Sequence, residues 1–337
     1  MNPIALVLLT CWSAATAQET FRTTVPEVLI PVTLLGRDRR FVSGLGPGDF
    51  TVLDNGKPKT PRVEAMDSSN VRVALVVAVQ ANDISAPALL KIRKTGSMIQ
   101  PMLAGEGGRA AVLGFGHRVE TIEKFTASGD QIAEAFATIQ PQRPITADFA
   151  NFDARRARML DAVVEGAHLL AKRPSSERRI LLVVSETRDR GSESKIEDAL
   201  AAVQRAGVTV YHASYSAYRT AFTTRAGDSP AQPGGPNYIG GISEAIRRGK
   251  TNDAEILTRQ SGGDRLTFAT LKALEGIVAR FGEEIHSQYL LTCPAETSPP
   301  GYRTIEVRVN RPNVAIRSRP GYWVTGSGTE PAPPRQF

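Results

Sequence analysis

The side chains that most often carry acid-base chemistry are scattered through this chain of 337 residues. The four histidines are His117, His168, His212 and His286. None has metal-ligand spacing to another, and the two in helical patterns, His168 and His286, fit packed or surface roles. Adjacent carboxylates, such as Glu283-Glu284, diverge on a helix instead of converging on a substrate. The chain contains no Gly-x-Ser-x-Gly elbow, Walker loop or zinc protease motif. These residues predict a protein that is not an enzyme, with a hydrolase built on a dispersed site as a remote alternative.

Residues 1–17 have the layout of a secretory signal peptide. An apolar run over 4–9 precedes the small residues Ala15-Thr16-Ala17, which favour cleavage before Gln18. We therefore expect an exported protein, periplasmic or extracellular. Its mature part would retain only Cys293, which excludes an intramolecular disulfide and a cysteine-based zinc site. No later stretch reaches the ~20 apolar residues that cross a bilayer, so we expect no transmembrane segment in the mature chain.

The chain is basic, with a formal net charge of +7. This charge suggests affinity for acidic surfaces without choosing among nucleic acid, polysaccharide and lipid. The arginines are spread over all regions, and no aromatic pattern typical of RNA-binding proteins accompanies them. This distribution indicates a solvated basic surface and no nucleic acid partner.

Two kinds of pattern divide the mature chain. Residues 18–67 and 287–324 show strands with half-buried alternation, and Asn55-Gly56 is a strong hairpin signal because both residues accept a positive φ. We expect these two segments to pair into a small β-sandwich. Residues 325–337, rich in proline, are predicted to be a disordered tail.

The intervening segment, 68–286, alternates buried strands with amphipathic helices, which predicts a mainly parallel sheet covered by helices on both faces. Strands are predicted at 73–79, 110–115, 180–184 and 208–211. Helices are predicted at 153–172, 194–206, 253–260 and 271–285. The helix at 194–206 is predicted to begin with a capping box formed by Ser194 and Glu197. Residues 216–241 show no clear period and are interpreted as a long surface loop.

Several short motifs together resemble one family. They are Asp49-Phe50-Thr51-Val52-Leu53-Asp54-Asn55-Gly56, the strands at 74–79 and 180–185, Thr258-Arg259-Gln260-Ser261-Gly262-Gly263, Gln288-Tyr289-Leu290-Leu291 and Arg319-Pro320-Gly321-Tyr322. In this order and spacing they resemble the von Willebrand factor A-related domain proteins of acidobacteria. The resemblance implies an α/β fold of the von Willebrand factor A type, which is Rossmann-like, with the β-sandwich beside it.

The resemblance also implies the position of a metal site that this chain has lost. Metal-binding members of the superfamily carry Asp-x-Ser-x-Ser after the first strand, and separate loops supply a Thr and an Asp. A hard cation such as Mg²⁺ needs such an oxygen shell. The corresponding, vestigial positions here are Ala78, Gln80, Asn82, Ala157 and Glu186. We therefore predict no metal and no other cofactor. Mg²⁺ or Ca²⁺ would bind only if Asp83 or Asp189 supplied the missing carboxylate, and the alternative role for these two acids is loop solvation or helix capping.

A sharper hypothesis concerns the arginines that enter the loop from which the Thr was lost. One guanidinium of Arg155, Arg156 or Arg158 would lie beside Glu186 and replace the cation. The alternative is that these arginines coat the solvent face of a helix. The possible binding face comprises Gln80, Asn82, Asp83, Arg155, Arg156, Arg158, Glu186 and Asp189.

Two functions remain open from the sequence. The first is a non-catalytic binding or adhesion module that uses the carboxyl edge of the parallel sheet, where open α/β folds place ligands, without metal. The second is a structural component of the cell envelope that contacts its partner through the β-sandwich or the 216–241 loop. Both imply an unidentified protein or envelope partner, and neither specifies the oligomeric state.

Overall fold

The computed structural model describes residues 27–64, 72–142, 156–215, 252–296 and 299–324. The predicted signal peptide, the 216–241 loop, the 325–337 tail and Arg155 lie outside these residues. The strands are β1 (Glu27–Leu35), β2 (Phe50–Asp54), β3 (Lys57–Lys59), β4 (Arg62–Glu64), β5 (Val73–Gln80), β6 (Arg109–Phe115), β7 (Val119–Thr126), β8 (Arg178–Ser185), β9 (Thr209–Ser214), β10 (Arg265–Thr267), β11 (Tyr289–Pro294), β12 (Gly301–Val309), β13 (Ala315–Ser318) and β14 (Gly321–Val324). The α-helices are α1 (Ala86–Ile92), α2 (Gly96–Ile99), α3 (Gly129–Thr138), α4 (Met159–Ala171), α5 (Ile196–Arg205), α6 (Asp253–Ser261) and α7 (Leu271–Ser287).

Six strands form the central sheet, in the order β10-β9-β8-β5-β6-β7. Neighbouring strands run parallel except β7, which is antiparallel to β6 at one edge. All eight residues of β5 are buried, because helices cover both faces of the sheet. Side chains of α1, α3 and α7 pack on one face, and those of α4, α5 and α6 pack on the other. The predicted α/β fold class is thus confirmed.

Strands from both ends of the described chain form two further antiparallel sheets. One has the order β13-β1-β11-β4 and the other β14-β12-β2-β3. Their apolar faces share one core, which includes Ile30, Val52, Leu291 and Val307. The β2–β3 hairpin turns at Asn55 and Gly56, whose φ values of 47° and 79° are those that the Asn-Gly pair accepts. The predicted β-sandwich is therefore present beside the α/β domain.

A buried polar network joins the sandwich to the α/β domain. Glu284 of α7 is 1% exposed and accepts hydrogen bonds from Tyr211 (2.9 Å) in β9 and Thr33 (3.1 Å) in β1. Its other carboxylate oxygen forms an ion pair with Arg317 of β13. Gln288 adds hydrogen bonds to Thr33 Oγ1 (2.8 Å) and Tyr211 Oη (3.1 Å). Because buried polar groups need partners, this set of contacts fixes how the two parts meet.

Two predicted helix starts differ from the structure. Helix α5 begins at Ile196, and its first turn is capped by Asp198, which accepts a hydrogen bond from the Lys195 amide (2.9 Å). The predicted capping box of Ser194 and Glu197 is wrong, because the Ser194 amide donates instead to Asp161 in the first turn of α4 (2.9 Å). Helix α4 begins at Met159, since the preceding Ala157 is held in an antiparallel bridge to Arg190.

The Thr258–Gly263 motif ends α6 and places it against β9. Ser261 Oγ accepts a hydrogen bond from the Val210 amide (2.9 Å), and Gly262 adopts the left-handed conformation that ends the helix. At Gly263, an added Cβ would lie 1.9 Å from the Val210 carbonyl oxygen. The second glycine is therefore required by the close approach of two backbones.

Replacing Gly263 with alanine is expected to lower the free energy of unfolding by about 3 kcal/mol, because the backbone must move to admit the methyl group. The matched control is Gly276→Ala, where a Cβ would meet nothing within 4 Å on the exposed side of α7. That change is expected to raise stability by about 0.5 to 1 kcal/mol, since alanine favours a helix interior. Urea unfolding of both variants measures the difference. Equal effects of the two substitutions would contradict the packing argument.

Candidate binding face

The carboxyl ends of β5, β8 and β9 meet at one edge of the central sheet. We call this edge, with the loop residues 80–85, 156–158 and 186–193, the top face. It carries the described members of the predicted binding face. Ala78 is not at this edge, because it lies within β5 with its side chain in the core beneath α4 and α5.

Two carboxamides, at the end of β5 and just after it, occupy the positions where the resemblance expects two serine hydroxyls. Gln80 and Asn82 are 1% and 0% exposed, and Gln80 Nε2 donates to Asn82 Oδ1 (3.0 Å). Gln80 Oε1 accepts from the Glu186 amide (2.9 Å), and Asn82 Nδ2 donates to the Arg156 carbonyl (3.1 Å). This amide pair therefore connects three loops of the top face. They are the loops in which the resemblance places the ligands of the lost metal site.

Asp189 ties the loop after β8 to the start of α4. Its carboxylate accepts hydrogen bonds from the Leu160 amide (3.0 Å) and from the amide (3.1 Å) and hydroxyl (2.6 Å) of Ser192. The Asp189 amide in turn donates to Asp253 at the start of α6 (2.8 Å). Burial, assisted by the charge of Asp189, raises the pKa of Asp253. Of the two roles considered for Asp189, helix capping is the one that its contacts provide.

Arg158 pairs with two acids, one in the first turn of α4 and one in the loop after β8. Its Nε donates to Asp161 (2.6 Å), and its Nη2 donates to Glu193 (2.5 Å). Asp161 also accepts from the amides of Glu193 (3.1 Å) and Ser194 (2.9 Å). Burial opposes ionisation of Asp161, but these hydrogen bonds outweigh it and lower the pKa of the carboxyl group. The two ion pairs of Arg158 thus join the start of α4 to the loop after β8, and the pairing of an arginine with Glu186 stays a prediction.

The side chains present do not fit a Mg²⁺ or Ca²⁺ ion. The oxygens of Gln80 and Asn82 accept hydrogen bonds from neighbours, as do both oxygens of Asp189. Across the described ranges, no cluster of three His, Cys, Asp or Glu side chains is arranged to hold a metal. A hard cation would have to displace these hydrogen bonds to obtain ligands.

Ser185 and His212 form a contact that resembles a nucleophile with its base. Ser185 Oγ lies 2.9 Å from His212 Nε2, but the two residues are 0% and 1% exposed. The Ser185 hydroxyl also donates to the Glu186 carbonyl (2.5 Å), so its proton is directed away from the imidazole. Burial, and then the charge of Arg265, lowers the pKa of His212 to about 3. The pair therefore has a structural role. An activated serine must be accessible to substrate and must lie beside a base that accepts its proton.

The exposed part of the top face is basic. Arg156, Arg188 and Arg190 are exposed, and the bridge between Ala157 and Arg190 brings their loops side by side. Sequence reasoning selected Arg156 but missed Arg188 and Arg190. Their position directly after β8, in the same loop as Glu186, was the available signal.

Comparisons with known proteins give similarity of fold alone. No protein-family model and no curated protein matches the chain. Similar solved structures include an aerotolerance-related membrane protein from Bacteroides fragilis, 12% identical over 63% of this chain and 99% of that one (TM-score 0.42). Proximal thread matrix protein 1 from the mussel byssus, solved with a zinc-occupied MIDAS motif, is 12% identical over 66% of this chain and 47% of that one (TM-score 0.42). The SpRpn10 VWA domain is 8% identical over 62% of this chain and 94% of that one (TM-score 0.38).

The fold assignment stands on the strand order and on the helices that cover both faces of the central sheet. No helix within the described segments has the length and apolar character needed to cross a membrane. The part of the chain from β5 to α7 is an α/β domain with a mainly parallel sheet, the fold class that the resemblance to von Willebrand factor A-type proteins implies.

Proposed function

We propose that this protein is an exported, non-catalytic binding module whose top face contacts an acidic partner without a metal ion. The observation that carries the proposal is the hydrogen-bonded pair of Gln80 and Asn82. Both side chains are buried, and together they connect the loops of the top face. A face whose loops are held by amides is formed in advance and needs no cation to assemble it.

The charge of the exposed loops supports an acidic partner. Arg156, Arg188 and Arg190 are exposed, whereas the neighbouring acid Glu193 is paired with Arg158. Basic patches of this kind steer acidic surfaces into contact and make association sensitive to ionic strength. The buried state of Ser185 and His212 supports a role in binding over catalysis.

Charge reversal tests this proposal. A variant with Arg156, Arg188 and Arg190 all changed to Glu is compared with the wild type for capture of partners from envelope extract, with and without a chelator. The variant is expected to lose its partner, because rim charges govern association, and the chelator is expected to change nothing. Quantitative mass spectrometry of the captured proteins is the measurement.

The matched control changes three exposed arginines of the sandwich, Arg40, Arg308 and Arg311, to Glu. It alters net charge by the same amount and is expected to keep the partner. Loss of the partner in the control alone would favour the envelope component that binds through its sandwich. Loss on chelation would contradict a metal-free face.

A further inference from the structure

A cavity of about 210 Å³ lies between the two parts of the molecule, at the opposite edge of the central sheet from the top face. We call it the junction pocket. It is bounded by β1, by the first residues of β8 and β9, by the end of α5 and by Arg319 with β14.

Four arginines line this cavity: Arg178, Arg179, Arg205 and Arg319. Among the residues that the structure describes, the acids in the lining are Glu27 and Glu177, and each already has a different partner. Glu177 binds Arg173 through two hydrogen bonds (2.7 and 2.8 Å), and Glu27 binds Arg62 (3.1 Å). The junction pocket therefore carries a positive charge that its own acids do not neutralise.

Arg319 is the clearest example of a buried positive charge in the junction pocket, because the residue is only 8% exposed. Its Nε donates to the Gly321 carbonyl (2.9 Å) and its Nη2 donates to the Gln204 carbonyl (3.0 Å). Arg179, which is partly buried, likewise donates to the carbonyls of Ala206 (2.8 Å) and Arg173 (2.6 Å). Among the described residues, neither guanidinium has a carboxylate within ion-pair distance. Burial lowers the pKa of Arg319 to about 10 and also lowers that of Arg179.

The end of α5 accounts for only part of this arrangement. Arg179 and Arg319 both bind carbonyls of its last turn, and a helix carboxyl terminus attracts cations. That terminus is equivalent to about half a negative charge, however, whereas the two guanidinium groups carry two positive charges. Charges withdrawn from water are normally paired, so the excess calls for an anion.

The rim of the junction pocket is open to solvent and includes a flat aromatic side chain, that of Trp323. Glu27 and Arg205 are exposed. The Arg205 guanidinium lies over the Trp323 ring, 5.2 Å from its centroid, and Trp323 Nε1 donates to Gln204 Oε1 (3.1 Å). A ligand entering past this stacked pair would reach Arg179 and Arg319 with its charged end.

We propose that the junction pocket binds a small oxyanion, a phosphate or carboxylate group, that Arg179 and Arg319 neutralise. Guanidinium groups suit this chemistry, because their planar N–H donors match the geometry of both anions. The ligand would bridge the sandwich and the α/β domain, since Arg319 belongs to the first and Arg179 to the second.

Calorimetric titration of the full chain in anion-poor buffer tests the proposal. Inorganic phosphate and succinate are titrated separately, with potassium chloride at matched ionic strength as the reference. Saturable binding of one ion per chain is expected for at least one of the two probes. Binding of phosphate alone or of succinate alone identifies which oxyanion the site takes. If neither probe gives a saturable response beyond that of chloride, the proposal is overturned.

Variants then locate the site. Arg179→Gln and Arg319→Gln are each expected to raise the Kd by about tenfold or more. Each substitution removes a hydrogen bond to a charged group, which is worth about 1.5 to 3 kcal/mol. Arg308→Gln, on the exposed face of β12, is the matched control and is expected to bind as the wild type does. Circular dichroism establishes folding for each variant. If Arg319→Gln does not fold, Arg179→Gln alone decides, and wild-type affinity in that variant would overturn the assignment.

Discussion

Replacing Glu284 with alanine is expected to lower the free energy of unfolding by about 3 to 5 kcal/mol, as breaking a buried ion pair does. The carboxylate is 1% exposed and receives hydrogen bonds from Thr33 and Tyr211 as well as the ion pair with Arg317. The substitution leaves these buried donors without their acceptor. Of its two ion pairs within the described segments, Arg317 would keep the one with Asp264 (2.8 Å). Urea unfolding followed by circular dichroism measures the loss.

The matched control is Glu306→Ala, which removes the exposed pair between Glu306 and Arg308 (2.7 Å). Exposed pairs contribute about 0 to 1 kcal/mol, so this variant is expected to unfold close to the wild type. Glu284→Gln should lie between the two, because it keeps an acceptor for Tyr211 but loses the charge that faces Arg317. Equal losses for Glu284→Ala and Glu306→Ala would show that the network does not stabilise the junction.

Acidification is expected to destabilise the protein through His212. Its pKa is about 3 in the folded state, against about 6.5 in an unfolded chain, so the unfolded chain binds the proton first. The stability linked to this histidine is complete above about pH 6.5 and is lost as the pH falls towards 3. The full loss is on the order of 5 kcal/mol, of which about 2 kcal/mol falls between pH 6.5 and 5.

The measurement compares the pH dependence of unfolding for the wild type and for His212→Gln, which cannot take up this proton. From pH 7 to 5, the wild type is expected to lose about 2 kcal/mol more than the variant does. His168→Gln, on the exposed side of α4, serves as the control and should follow the wild type. Parallel curves for the wild type and His212→Gln would contradict the burial argument.

The central sheet was predictable because burial leaves a strong signal in sequence. Strands β5 and β8 are buried on both faces, so their residues form unbroken apolar runs. Strand β7 was missed, because it is an edge strand whose mostly half-buried residues show no clean alternation. Strand β10 has three residues, too few for any period to appear. The wrong capping box of α5 has a tertiary cause, since Asp161, 33 positions away, binds the Ser194 amide.

The chemistry of the two sites was less predictable. The loss of carboxylate at Ala78 can be seen in the sequence, but the contact of Gln80 with the Glu186 amide joins residues 106 positions apart. The junction pocket depends on the same kind of long-range meeting. Its arginines come from β8, α5 and the turn before β14, and arginines are ordinarily interpreted as solvated. Arg178 and Arg319 are instead 4% and 8% exposed, which departs from the predicted solvated basic surface.

The two strands that flank the α/β domain in sequence, β4 and β11, lie side by side in the sandwich. Strand β4, just before the α/β domain, pairs antiparallel with β11, which follows directly after α7. A tensile load passing along the chain therefore reaches the hydrogen bonds between these two strands before it reaches the central sheet. We therefore expect the sandwich to carry such a load while the loops of the α/β domain keep their arrangement.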